Sequence, residues 1–152
     1  MVERVQVKGL KELQARMLTL SADMQKRLAT RATGAGASVI RKRAKQLAPI
    51  ADEPYTIEGV RVEPGNIPKN IVSKKLPKSQ TDLTSEHIVT VRGKAKHGYA
   101  SRVGALQEFG TVNHPPQPFL RPAFDQEKGF AVAAIKQRLA DGIDRVAKGG
   151  KP

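Results

Sequence analysis

The chain has 152 residues, 39% of them apolar and 4% aromatic, with neither Trp nor Cys, and a formal charge of +13 at pH 7. Residues 1–152 suit a single domain with a modest aliphatic core, leaving part of its stability to neighbouring subunits. The missing cysteines exclude disulfides and thiolate metal or nucleophile sites, no apolar run approaches the ~20 residues that cross a bilayer, and the cation excess favours polyanionic or acidic partners.

The first residues, Met1 to Val5, lack the charged-then-apolar order of a signal peptide. Val2 to Lys8 alternates apolar and polar residues, the period of a half-buried strand, and Gly9 closes it. Leu10, Leu13, Met17, Leu20, Met24 and Leu28 then recur every three or four residues and mark one face of an amphipathic helix. The pattern continues less cleanly to Leu47, and Pro49 stops it. One helix from Leu10 to Leu47 would be ~55 Å long at 1.5 Å per residue, so a kink or break is expected near Gly34-Ala35-Gly36-Ala37. That cluster lacks both a third glycine and a Lys-Ser/Thr pair, and it lies inside a helical pattern. It therefore reads as a close helix crossing and not as a phosphate loop.

Residues 49–83 read as a flexible loop excursion, with Pro49, Pro54, Pro64 and Pro68 in its first part. Within it, Tyr55-Thr56-Ile57 and Gly59-Val60-Arg61-Val62 can pair as short strands, and Pro68 to Leu76 suits a short helix or turn. Lys69, Lys74, Lys75 and Lys78 form the densest basic patch, beside Ser73, Ser79 and Thr81. It can hold a phosphate backbone or an acidic partner; solvated loop lysines are the plainer alternative. Ser85 to Gly93 is the best strand, rich in β-branched residues. Lys94 and Lys96 follow in a basic turn, and Tyr99 to Phe109 is spaced as a short helix.

Glu108-Phe109-Gly110-Thr111, continuing to Phe124, holds four of the ten prolines and three of the four phenylalanines. Pro115, Pro116 and Pro118 fix φ and remove donors, so the segment is stiff and extended with few ladder bonds. Gly110 permits a positive-φ turn, and Pro122 suits the first turn of a helix. The expected object is a rigid arm clamped by Phe109 on one side and by Phe119 and Phe124 on the other, each worth about 1.5–3 kcal/mol if buried. Glu108 is expected to pair with Arg121, either as a structural salt bridge or as an intersubunit contact. Pro122 to Val146 reads as a second amphipathic helix weakened at Gly129 and Gly142, and residues 148–152 as a frayed tail. The class is α+β: a small antiparallel or mixed sheet packed on one side by a long, kinked N-terminal helix and a C-terminal helix.

The run Glu108-Phe109-Gly110-Thr111, with Pro116, Gln117, Pro118, Phe119, Leu120, Arg121, Pro122, Ala123 and Phe124, resembles a family of tail-component, tail-completion or head–tail joining proteins of long-tailed bacteriophages. The resemblance covers most of the chain and is weakest between Asp52 and Gly98. It implies a virion protein assembled in the host cytoplasm, a homo-oligomeric ring matching a six-fold tail tube, and contacts with neck, tail terminator or tube proteins.

Little points to catalysis. His87, His97 and His114 have no helical spacing to one another and no local carboxylate partner, and Ser101 beside His97 has no third member. No metal, cofactor, membrane contact or enzymatic activity is expected. Two readings remain: a structural protein of the phage neck or tail end, with transient contact to genomic DNA, and a basic nucleic-acid-binding protein using the lysines named above.

Overall fold

A computed structural model of the protein describes residues 9–77, 84–94 and 99–152. The expected strand over Val2–Lys8, together with Lys78 and Lys96, lies outside these residues. The order of elements is α1 (Leu10–Leu18), α2 (Ala22–Leu47), β1 (Tyr55–Ile57), β2 (Val60–Val62), α3 (Asn66–Asn70), β3 (Ile71–Lys75), β4 (His87–Val91), α4 (Ala100–Phe109) and α5 (Leu120–Ala147). The fold is α+β, and among the described residues the strands form two two-stranded antiparallel ladders, β1–β2 and β3–β4.

The N-terminal helix is interrupted, but not where its glycines suggested. The break falls at Thr19–Ser21, and α2 runs unbroken through Gly34–Ala37. Thr19 Oγ1 donates back to the Arg16 carbonyl at 2.7 Å, and Ser21 Oγ accepts the Met24 N–H at 3.4 Å as the cap of α2. The glycines serve close packing instead. A Cβ on Gly36 would stand 2.7 Å from Ile135 Cγ1 and 3.1 Å from the Ala131 carbonyl oxygen; one on Gly142 would overlap Leu28 Cδ2. These contacts, with Arg43 Nε donating to Gln126 Oε1 at 2.8 Å, run in opposite chain directions, so α2 and α5 are antiparallel. Each helical glycine costs up to about 1 kcal/mol of intrinsic propensity. Here backbone contact offsets that cost.

The segment after Pro49 contains regular structure. Glu58 and Gly59, with φ of 48° and 79°, form the two-residue turn of the β1–β2 hairpin, whose twist matches the strands. Asn66–Asn70 is a single helical turn, and Ile71–Lys75, expected as a helix or turn, is a strand paired Ile71↔Val91 through Lys75↔His87. Buried Asn70 links the two: its Nδ2 donates to the Asn66 carbonyl at 2.9 Å and to Asn66 Oδ1 at 2.8 Å, while its own carbonyl accepts the Arg92 N–H at 3.0 Å. The β3–β4 ladder packs on α2, which also carries the long contact with α5. The core is small and aliphatic, formed by Ala44, Ala48, Ile67, Ile71 and Ala123 around Phe119. Phe119 is fully buried, and α5 enters the core through it and Ala123.

Candidate functional site

The junction of α4 with α5 is organised by Glu108. It lies in the last turn of α4, and its carboxylate faces the first turn of α5. Oε2 accepts the N–H groups of Phe119 at 2.8 Å and Leu120 at 2.9 Å, and Oε1 accepts that of Arg121 at 3.1 Å. Pro122 has no N–H, and the N–H of Ala123 donates to the Phe119 carbonyl at 3.3 Å. Every orphan donor of the helix start is therefore satisfied, three of them by a side chain that precedes the helix by more than ten residues. The carboxylate also sits at the positive end of the α5 macrodipole. Burial pushes the Glu108 carboxyl up, but the three backbone donors and the Arg121 guanidinium outweigh it and hold the group below its usual range.

The expected Glu108–Arg121 salt bridge is thus the lesser contact. Arg121 Nε is 3.9 Å from Glu108 Oε1, and the guanidinium lies over the Phe109 ring, 5.0 Å from its centroid. The clamp by aromatics also needs correcting. Only Phe119 is buried; Phe109 is 67% exposed and Phe124 52% exposed. Both flank positions that the helices turn outward, so the arm is fixed by polar contacts at Glu108 and by one aromatic anchor.

Between the helices the chain folds back instead of projecting. Gly110 has φ 76° and ψ −179°, and a Cβ there would stand 2.9 Å from Pro116 N and 3.0 Å from the His114 carbonyl. Thr111 and His114 exchange backbone hydrogen bonds of 2.9 and 3.3 Å, and the Gln117 N–H donates to the Gln107 carbonyl at 2.7 Å. Thr111 through Pro118, including Pro116 and Pro118, is exposed throughout. Phe109, Leu106 and Val112 stand on this platform as an apolar ledge. Behind Phe109 an open pocket of about 340 Å³ is lined by Val91, Gly104, Ala105, Leu120 and Arg121.

The hairpin is tied to the same helix. Glu58 accepts from the Tyr99 hydroxyl and from Arg102 Nη1, the latter at 2.8 Å; these two hydrogen bonds lower its pKa, and the first raises that of Tyr99.

Of the lysines singled out for phosphate, the four among the described residues do not converge. Lys69 lies in the last turn of α3, and Lys94 follows β4 at the same end of the ladder; Lys74 and Lys75 lie at the other end of β3, which is about 13 Å long at 3.3 Å per residue. All four are exposed. His87 is packed on α2, with Nδ1 2.9 Å from Thr33 Oγ1, while Ser85 Oγ is 3.1 Å from the same hydroxyl. Burial, then the charge of Lys75, lowers the His87 pKa. Among the described residues no group of histidines and carboxylates could hold a metal ion, and no helix is long and apolar enough to cross a membrane.

Sequence reasoning missed the capping role of Glu108. The available signal was Pro122, which announces a helix start, preceded by a lone carboxylate in an otherwise uncharged run from Val103 to Leu120. Against known proteins, residues 11–110 match the model of the HK97-gp10-like family, described as "Bacteriophage HK97-gp10, putative tail-component". The matched span covers α1 to α4 and ends at Gly110, at the edge of the platform. No curated protein and no solved structure gave a significant match.

Proposed function

The chain belongs to the HK97-gp10-like family of bacteriophage tail components, a virion protein that meets other virion proteins, and from that premise we propose that it is a non-enzymatic brace at the head-proximal end of the tail. In this reading it forms a closed ring, six-fold to match the tail tube, and helps complete the tail or join it to the head. Assembly takes place in the host cytoplasm. The carrying observation is the apolar ledge of Leu106, Phe109 and Val112 on a platform fixed by Glu108. Exposed apolar side chains on a rigid support suit a contact between different surfaces of neighbouring copies, the kind that closes a ring when the rotation permits. The Glu108 carboxylate is fully engaged by backbone donors, which supports a mechanical role for it over proton transfer.

The test is a double variant, Phe109→Ser with Val112→Ser, expressed in place of the wild-type gene. Both side chains are exposed, so the isolated subunit should melt within a few degrees of wild type. The expected outcome is particles with unjoined heads and tails. Normal joining by this variant overturns the reading of the ledge, and turnover by the pure wild-type protein overturns the non-enzymatic role.

A further inference from the structure

The largest concentration of positive charge lies on α2, away from the lysines that sequence spacing picked out. Its 26 residues contain seven Lys or Arg side chains against one acid, Asp23. At 3.6 residues per turn, Arg27, Arg31, Lys42 and Lys45 fall within a sector of about 60°. All four are exposed. The other faces of α2 are occupied: Leu28 and Gly36 meet α5, and Ala44 lies in the core beside Ile71.

Two further observations decide what such a stripe fits. Among the described residues, Arg31, Lys42 and Lys45 form no ion pair, and the Arg27–Asp23 pair at 2.9 Å has both partners more than half exposed. Such a pair is weak and exchanges readily for another anion. Among the described residues, no large apolar side chain of α2 is exposed. A stable protein interface needs an apolar centre. Two pairs of cations, Arg27 with Arg31 and Lys42 with Lys45, stand about 16 Å apart on one side of the helix, with Gly34 (against His87) and Ser38 between them. Such an array without an apolar centre is suited to a polyanionic rod. From Arg27 to Lys45 the array spans ~27 Å, the length of about 8 base pairs of duplex at 3.4 Å each.

We propose that the outer stripe of α2, formed by Arg27, Arg31, Lys42 and Lys45, docks the phosphate backbone of double-stranded DNA without sequence preference. The inference goes beyond the tail reading and stands on different residues, so either can fail alone.

The experiment is fluorescence anisotropy of the full-length protein with two unrelated duplexes of ~20 base pairs, at 50 and 200 mM salt. Four phosphate contacts predict affinity that falls about 100-fold over that range and is the same for both sequences. The variant R27Q/R31Q/K42Q/K45Q should bind at least tenfold more weakly at 50 mM and lose most of the salt dependence. A control, K69Q/K74Q/K94Q, removes comparable charge elsewhere and should stay within about threefold of wild type. Melting curves check that each variant is folded; should the quadruple variant unfold, R31Q/K42Q replaces it with the same expected direction. No binding at 50 mM, undiminished binding by the α2 variant, or an equal loss in the control each overturns the proposal. Inhibition by poly-glutamate as strong as by unlabelled duplex, at equal charge, would assign the stripe to acidic proteins and overturn it as well.

Discussion

The two ends of α5 are closed in opposite ways. At its start, the backbone donors are held by Glu108, a side chain from another helix. At its finish, the chain closes on itself: Gly149 has φ 77°, its N–H donates to the Val146 carbonyl at 2.9 Å, and the Gly150 N–H donates to the Arg145 carbonyl at 2.9 Å. The second closure is local and would form in any helix ending with these residues. The first exists only when α4 and α5 are correctly placed, so it couples the helix to the tertiary fold. One end therefore reports on helix formation, and the other on assembly of the junction.

The sharpest way to break this contrast is Glu108→Ala. It leaves three donors at a buried helix start without a partner, and we expect a loss of about 3–5 kcal/mol at pH 7 by chemical denaturation. Hydrogen exchange should quicken at Phe119, Leu120 and Arg121 while Ala147 to Gly150 stay as protected as before. Equal loosening of both ends would refute the coupling.

Gly110→Ala attacks the same end through the backbone. Positive φ and contact with the Pro116 backbone leave no room for a Cβ, and we expect about 2 kcal/mol of destabilisation with exposure of the Gln117–Gln107 hydrogen bond. By contrast, Gly149→Ala should cost only about 1 kcal/mol, the left-handed penalty, with exchange changes confined to the last turn. Acid gives the smallest and most specific readout. The folded Glu108 pKa lies below its ordinary value of 4.5, so its contribution is fully present above that pH and is lost as pH falls through the lower, folded value. Glu108→Gln should flatten the stability profile below about pH 4.5 relative to wild type; an unchanged slope would remove Glu108 as the source.

The same contrast explains what sequence could and could not reveal. Features written in local residues were legible: β4 from its β-branched run, the β1–β2 pairing, α4, and α5 from Pro122 onward. Features that depend on a distant partner were not. The apolar period passes through Leu20 and Met24 without a pause, so it hid the break at Ser21, which only the capping geometry discloses. Gly34 and Gly36 suggested a helix break because their intrinsic propensity is poor, whereas the His87 ring beside Gly34, and Ile135 and Ala131 beside Gly36, supply the compensating contacts. Ile71–Lys75 has two lysines among five residues, and its strand character comes from its register with β4. At the candidate site, sequence identified the residues of the junction and the Glu108–Arg121 pair, but not the closer contacts of the same carboxylate. A carboxylate near an arginine suggested an ion pair, while three N–H groups that no side-chain pattern records were closer. The aromatic clamp failed for a related reason: Phe109 and Phe124 sit on helix faces that turn away from the core, and only Phe119 turns inward.

The missing N–H of Pro122 carries a last consequence. With that donor absent and the three before it committed to Glu108, the positive pole of a 28-residue helix has no free hydrogen to offer an incoming anion. Helix starts are common landing points for phosphate. This one is already neutralised from within, so its backbone offers an incoming phosphate no foothold.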